Sequence, residues 1–196
     1  MDGNPRNAES RCRPSQLSIF RQGLQSNHAH CSLAGTDDLV AAFIDEVSLL
    51  EAKLGCLLVQ LPPSLGFDAR VAAAFFEHLR SRTAASIACE PRHESWFARE
   101  ADEILREFNV ARVAADPARV AAAGAPGGAR QFSYFRLHGS PKVYSSSYSD
   151  EFISGLADRL RKEAVGERTI WCMFDNTTLG AATRNALDLS AALGGV

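Results

Sequence analysis

No run of apolar residues approaches the roughly 18 that a membrane-spanning helix needs, so the sequence excludes such a helix. The first residues also lack an apolar core of the signal-peptide kind. An excess of one charge is missing as well: 21 Lys and Arg stand against 23 Asp and Glu, a net −2 at pH 7. Nothing in that balance draws the chain to nucleic acid or to an anionic membrane by bulk electrostatics. No Cys-x-x-Cys pair occurs. The five cysteines, Cys12, Cys31, Cys56, Cys89 and Cys172, are odd in number and far apart, the usage of a reducing, cytosolic location. Cys56, Cys89 and Cys172 sit in apolar runs with no histidine motif beside them, which suits small buried hydrophobes better than nucleophiles. No internal repeat is visible.

What is present suffices for one domain with a buried core, or for an incomplete copy of a larger one: 196 residues, 46% hydrophobic and 22% charged. Residues 1–35 form a poorly ordered or atypical N-terminal segment, polar and rich in Arg, Asn and Ser, with one apolar island at Leu17–Phe20. His28, His30 and Cys31 crowd together there, but without a partner they read as polar loop rather than as a metal site. From residue 36 to 196, helix and strand patterns alternate. Thr36 is placed to cap a helix whose apolar stripe is Leu39, Val40, Phe43, Ile44, Val47, Leu50 and Leu54. Cys56–Leu61 is a strand closed by two prolines. Asp68 caps a helix with Phe75, Phe76 and Leu79 inward, Ser86–Glu90 is a strand, and Ser95 caps a third helix. Val110–Ala114 is a short strand. Pro117–Ala123 is one or two helical turns and Gly124–Gly128 a loop. After the strand Phe132–His138, Ser149 or Asp150 opens a helix, Thr169–Phe174 is the last strand, and a helix closes the chain. This alternation predicts an α/β fold with a parallel sheet, right-handed crossovers and helices outside; a doubly wound sheet and a β/α barrel both satisfy it.

The polar residues then fall in a pattern. Gln60 ends the first of these strands, Glu90 and Arg92 the second, Asp116 the third, Arg136 and His138 the fourth, and Asp175 and Asn176 the fifth. Parallel α/β proteins bind ligands at the carboxyl ends of their strands. Strand alternation puts Arg136 and His138 on one face. Tyr144 and Tyr148 follow on the loop side, placed to wall a pocket by stacking or by their hydroxyls. Arg92 and Arg136 favour a small anionic ligand. Glu90 and Arg92, or Glu90 and Arg136 across strands, also read as structural ion pairs.

Five stretches together resemble the YecE-like family, domain of unknown function 72. They are Leu54-Gly-Cys-Leu-Leu-Val-Gln-Leu-Pro-Pro-Ser, Cys89-Glu-Pro-Arg-His-Glu-Ser-Trp, Tyr134-Phe-Arg-Leu-His-Gly, the Tyr144 to Tyr148 spacing, and Phe174-Asp-Asn-Thr followed by Asn185-Ala. The resemblance runs over about residues 36–193 and implies a TIM-type β/α barrel with no settled activity. Gln60, Glu90, Arg92, His93, Trp96, Arg136, His138, Tyr144, Tyr148, Asn176 and Asn185 match the family's recurrent polar and aromatic positions. Asp175 departs from it, standing where members tend to have Asn. The family's first strands, with their Gly, Trp, Asn, Tyr and Lys residues, have no counterpart in residues 1–35. The expected fold is therefore an incomplete barrel of about five parallel strands with outer helices, whose open edges favour a homo-oligomer.

Three functional expectations follow. The first is an enzyme of hydrolase, lyase or isomerase type acting on a small anionic substrate. Its catalytic residues are Glu90, as general acid or base, and His138; Gln60, Arg92, Arg136, Tyr144, Tyr148 and Asn176 bind substrate. A divalent metal held by Glu90, His138 and Asp116 or Asp175 is a variant of this reading. The second is a non-catalytic module that binds an anionic ligand or a macromolecular partner. The third is a truncated, inactive copy.

Overall fold

The computed structural model describes residues 17–18 and 32–195. The His28, His30 and Cys31 cluster lies outside these residues. Eight strands and five α-helices are described: β1 (Leu17–Ser18), α1 (Asp37–Ser48), β2 (Cys56–Gln60), α2 (Ala69–Arg82), β3 (Ser86–Glu90), α3 (Arg99–Glu107), β4 (Val110–Arg112), β5 (Ala114–Asp116), β6 (Gly127–Gly128), β7 (Phe132–Leu137), α4 (Asp150–Glu163), β8 (Thr169–Phe174) and α5 (Ala181–Ala192). The apolar island noted in the N-terminal segment contributes β1, whose Leu17 and Ser18 pair in parallel with Leu57 and Leu58.

Two sheets form, in the orders β1-β2-β3-β4-β6 and β5-β7-β8. All pairings are parallel except the short β4–β6 contact, which turns the expected Gly124–Gly128 loop into an antiparallel return. The single strand expected at Val110–Ala114 is broken at Val113 into β4 and β5. The Val113 N–H still bonds the Cys89 carbonyl at 2.8 Å, so the chain hands over from one sheet to the other without leaving the ladder.

Strand alternation sorts the side chains into two layers. Leu57, Val59, Ile87 and Cys89 face outward into a core with α1, α2 and α3, where Phe76, Leu79 and Trp96 are buried. Phe135 and Leu137 face outward into a second core, under α4 and α5, with Ile153, Leu156 and Leu160. The inward residues make a third cluster: Cys56, Leu58, Ala88, Ala111, Val113, Phe132 and Tyr134, with Trp171 and Met173 at its margin. Strands β2 and β7 are three ladder positions apart, about 14 Å in a flat sheet. Yet Arg136 on β7 reaches Gln60 on β2 at 2.7 Å, so the sheet is strongly curved about this inner cluster.

The arrangement is thus mixed α/β with parallel-rich sheets and helices outside. A closed barrel is not found: among the described residues no pairing joins β8 to β1 or β2. Its open edge shows in β8, where Ile170–Phe174 are all half-exposed although alternate residues face opposite sides. Two local expectations give way to other contacts. Thr36 stands at the N-cap of α1, but its hydroxyl donates to the Leu33 carbonyl instead of capping. Ser95 accepts from the Phe67 N–H, while the cap of the short turn Glu94–Phe97 is supplied by His93. Asp68 and Ser149 cap α2 and α4 as expected, accepting from Val71 and Phe152.

Candidate functional site

The inward face of β2, β3, β7 and the end of β8 ends in polar residues, and the curvature gathers them. Gln60 continues the inward series Cys56, Leu58; Glu90 continues Ala88; Arg136 continues Phe132, Tyr134; Asp175 continues Trp171, Met173. Two Nη atoms of Arg136 serve three acceptors. Nη1 donates to Gln60 Oε1 at 2.7 Å and to Glu90 Oε2; Nη2 donates to Asp175 Oδ2 at 2.7 Å. His138, one step further along the same face, sits between the two carboxylates. Its Nδ1 is 3.1 Å from Asp175 Oδ2 and its Nε2 3.2 Å from Glu90 Oε1. Arg92 adds a looser contact, Nη2 to Glu90 Oε1 at 3.3 Å. Glu90 and His138 are buried, and the network is a charge-assisted one of two carboxylates, two guanidinium groups and one imidazole.

The electrostatics follow from that geometry. Burial alone would raise the Glu90 pKa. The His138 hydrogen bond and the nearby Arg136 and His138 charges outweigh it and lower the carboxyl to about 2. Asp175 is lowered for the same reasons, burial again opposing. Burial would lower His138, but hydrogen bonds to Asp175 and Glu90 carry it above its usual 6.5. Both ring nitrogens facing carboxylate oxygens is the arrangement of an imidazolium donating twice. The site therefore holds its carboxylates ionised and favours the protonated histidine.

A pH dependence of stability results. Glu90 contributes stability that is present above its unfolded value of 4.5 and lost as pH falls toward 2; this amounts to about 3 kcal/mol. His138 works in the other direction: its contribution is present below pH 6.5 and lost as pH rises through its raised folded value. Urea unfolding midpoints should therefore be highest between these limits and fall on both sides. In Glu90→Gln the acid limb should flatten. An acid limb identical to that of the unsubstituted protein would show that Glu90 is not held as described.

The other expected site residues divide. Tyr144 lies beside the cluster, its ring edge-on to the His138 imidazole at 5.5 Å. It is one of three non-glycine residues with positive φ among the described residues, at +65°, a conformation costing on the order of 1–3 kcal/mol. Its N–H bonds the His138 carbonyl and its carbonyl accepts from Thr178 N–H at 3.0 Å, so the loop holds it in that conformation. Tyr148 is buried. Its hydroxyl donates to Asp116 Oδ1 at 2.8 Å and accepts from the Gly139 N–H at 2.8 Å, while its ring stacks on Phe152. Asn176 is fully buried and donates to Ser146 O and to Asn185 Oδ1, both at 2.9 Å. Asn185 in turn accepts from the Tyr148 N–H at 3.1 Å. Tyr148, Asn176 and Asn185 therefore fasten the loop that follows His138. Gly139 belongs to the same fastening: with φ at +93°, a Cβ there would lie 2.8 Å from the Ser146 carbonyl.

Beside Glu90 and His138 opens a cavity of about 400 Å³, also lined by Arg92, Arg119, Val143 and Tyr144, with Pro91, Ala115 and Pro117 as apolar wall. This is the size of a small-molecule site. Arg119 is the residue the sequence reading missed, since an arginine in an alanine-rich run after a strand carries no pattern of its own. The metal variant meets a crowded site. The space between Glu90 and Asp175 is filled by the Arg136 guanidinium, Asp116 is engaged by Tyr148, and no group of three or more metal-ligating residues occurs among the described ones. Cys56 and Cys89 are buried and Cys172 is half-buried; loss of solvation pushes Cys56 and Cys172 up to about 12 and Cys89 further up, which disfavours the thiolate form at neutral pH.

Residues 21–196 match the family described as Protein of unknown function DUF72. The chain belongs to the DUF72 family. The match bears out the resemblance seen in the motifs and starts earlier than they do. Among solved structures, this DUF72 chain is similar to a DUF72 family protein from Enterococcus faecalis V583. In two crystal structures of that protein the TM-score is 0.71 at 21% identity, covering 91% of this chain and 72% or 75% of the other. It is also similar to a DUF72 family protein from Thermotoga maritima MSB8, with TM-score 0.66 at 24% identity, covering 81% of this chain and 66% of the other. At such identities the likeness establishes the DUF72 fold and nothing finer. No curated protein matches the sequence. No described helix is long and apolar enough to cross a membrane.

Proposed function

We propose that this DUF72 protein is an enzyme of hydrolase, lyase or isomerase type, acting on a small anionic substrate at the carboxyl ends of its parallel strands. The observation that carries the reading is the buried Glu90–His138 pair, opening into a cavity of about 400 Å³ and braced from behind by Arg136 and Asp175. Buried titratable groups with shifted pKa values at the wall of a cavity mark a candidate site for proton-transfer chemistry. The direction of the shifts supports a division of roles. A carboxyl held near 2 is ionised at neutral pH and has no proton to give, so Glu90 holds the imidazolium in place. His138, with its raised pKa, is the proton donor and, once discharged, the acceptor. Arg136 is a positioning residue, because its Nη1 and Nη2 are already committed to Gln60, Glu90 and Asp175. The anion is left to Arg92 at the mouth.

The structural ion-pair network that Arg136 forms with Glu90 and Asp175 supports a second reading, a non-catalytic module that binds an anionic ligand in this cavity. Glu90→Gln and His138→Ala separate the two. In an enzyme both variants lose turnover while ligand affinity stays within a few fold; a pure binder shows no turnover in any form and loses affinity alone. A screen of anionic metabolites by thermal shift supplies the ligand for that comparison.

A further inference from the structure

We propose that the cavity takes an organic anion with an apolar, preferably flat, body: the body lies against Tyr144 and Val143, and the anionic group is held by Arg119 together with Arg92. The inference rests on the cavity being the ligand site of the proposed function and names its substrate class. Four observations converge on it. Much of the lining is apolar, made by Pro91, Ala115, Pro117, Ala123 and Val143, which offers nothing to a purely polar ligand such as a bare sugar or inorganic phosphate. Tyr144 is about 42% exposed, yet its backbone is fixed in the left-handed region by bonds to His138 and Thr178. An exposed aromatic ring held by a strained backbone, edge-on to the proton-transfer histidine, is placed rather than left over. Arg136 has three of its five N–H groups committed to Gln60, Glu90 and Asp175 and is not among the residues lining the cavity, so an arriving anion meets other arginines. Arg119 is exposed at the cavity rim, with no hydrogen bond or ion pair among the described residues, and Arg92 makes only the one contact to Glu90 at 3.3 Å. The least engaged positive charge of the cavity is therefore that of Arg119, with Arg92 close to Glu90.

Such a ligand carries either a carboxylate or a phosphate monoester; both satisfy two guanidinium groups. The experiment is calorimetric titration of the full chain with four probes and one control: benzoate, phenyl phosphate, acetate, inorganic phosphate, and uncharged benzyl alcohol. The expected result is that benzoate or phenyl phosphate binds at least about tenfold tighter than its bodyless counterpart and than benzyl alcohol. Whichever of the two leads identifies the anionic group. Arg119→Gln and Tyr144→Ala should each weaken that probe by about tenfold, and Tyr144→Phe should retain most of the affinity. Arg119→Gln changes an exposed side chain and leaves folding intact, so its result stands even where Tyr144→Ala perturbs the loop.

The proposal is overturned when the aromatic anions bind no better than acetate and phosphate, or when Arg119→Gln leaves their affinity unchanged. Its failure is separable from failure of the enzymatic reading. Turnover of a substrate lacking an apolar body, lost in His138→Ala, would sink the ligand class and keep the enzyme. Tight aromatic-anion binding, sensitive to Arg119 and without turnover of any anion, would keep the ligand class and sink the enzyme.

Discussion

Arg136→Met should destabilise the protein by about 3–5 kcal/mol, the cost of removing one partner from a buried ion pair and leaving the other charge in place. The guanidinium is 14% exposed and faces a Glu90 side chain that is 4% exposed, so water cannot replace it at the carboxylate. Asp175 and Gln60 lose their donor in the same step. Methionine fills most of the volume, which keeps a cavity from inflating the result. With a urea m-value of about 2–3 kcal/mol/M, the unfolding midpoint should fall by roughly 1–2 M. Arg136→Lys should lie between the two, because an ammonium offers one compact charge where the guanidinium spans acceptors from three strands. The double variant Glu90→Gln, Arg136→Met is the deciding measurement. If the single loss arises from an uncompensated carboxylate, neutralising Glu90 recovers part of it. A loss below about 1 kcal/mol in Arg136→Met would mean that the cluster is solvated like a surface pair.

On the proposed enzymatic reading, Glu90→Gln should lower turnover by up to about 10²–10⁴-fold, the contribution of the proton-transfer group His138 that Glu90 holds in place. Glutamine keeps the shape and still accepts from Arg136, but it brings no charge to His138. The imidazolium then has Asp175 as its one carboxylate partner, and the pKa of His138 falls from its raised value. The pH–rate profile should show this as a descending limb moved to lower pH. Such a shift distinguishes a residue that sets the histidine from one that merely shapes the cavity. Unaltered limbs together with unaltered kcat would remove Glu90 from the chemistry and leave it a structural role.

Much of this was readable from residue order. Glu90, Arg136 and His138 are polar residues at the ends of otherwise apolar strands, and a parallel sheet brings such ends to one face whatever its closure. Alternation also placed Arg136 and His138 together, because two-residue spacing on a strand is a geometric certainty. What escaped depends on contacts between residues far apart in the chain. Nothing local distinguishes Tyr148, which seals the loop against Asp116 and Gly139, from Tyr144, which faces the cavity; the two differ only in what lies across from them. Asn176, read as a substrate ligand, is drawn into Asn185 and Ser146 by the same long-range closure. Leu39 fits the helical stripe of α1 but is exposed, because the stripe is wider than the surface α1 covers. The break at Val113 has no mark in the sequence, since its Cys89 bond is satisfied on both readings of the strand.

That break has a mechanical meaning. At Val113 the molecule divides into two leaves, each with its own helices and its own outer core, joined by the inner cluster and by three passages of the chain, β4 to β5, β5 to β6 and β6 to β7. Gln60 and Glu90 belong to the first leaf; Arg136, His138 and Asp175 belong to the second. The bonds from Glu90 to His138 and Arg136 are thus also rivets between the leaves, and loss of the histidine's proton would loosen the polar cluster and the seam between the sheets in one event.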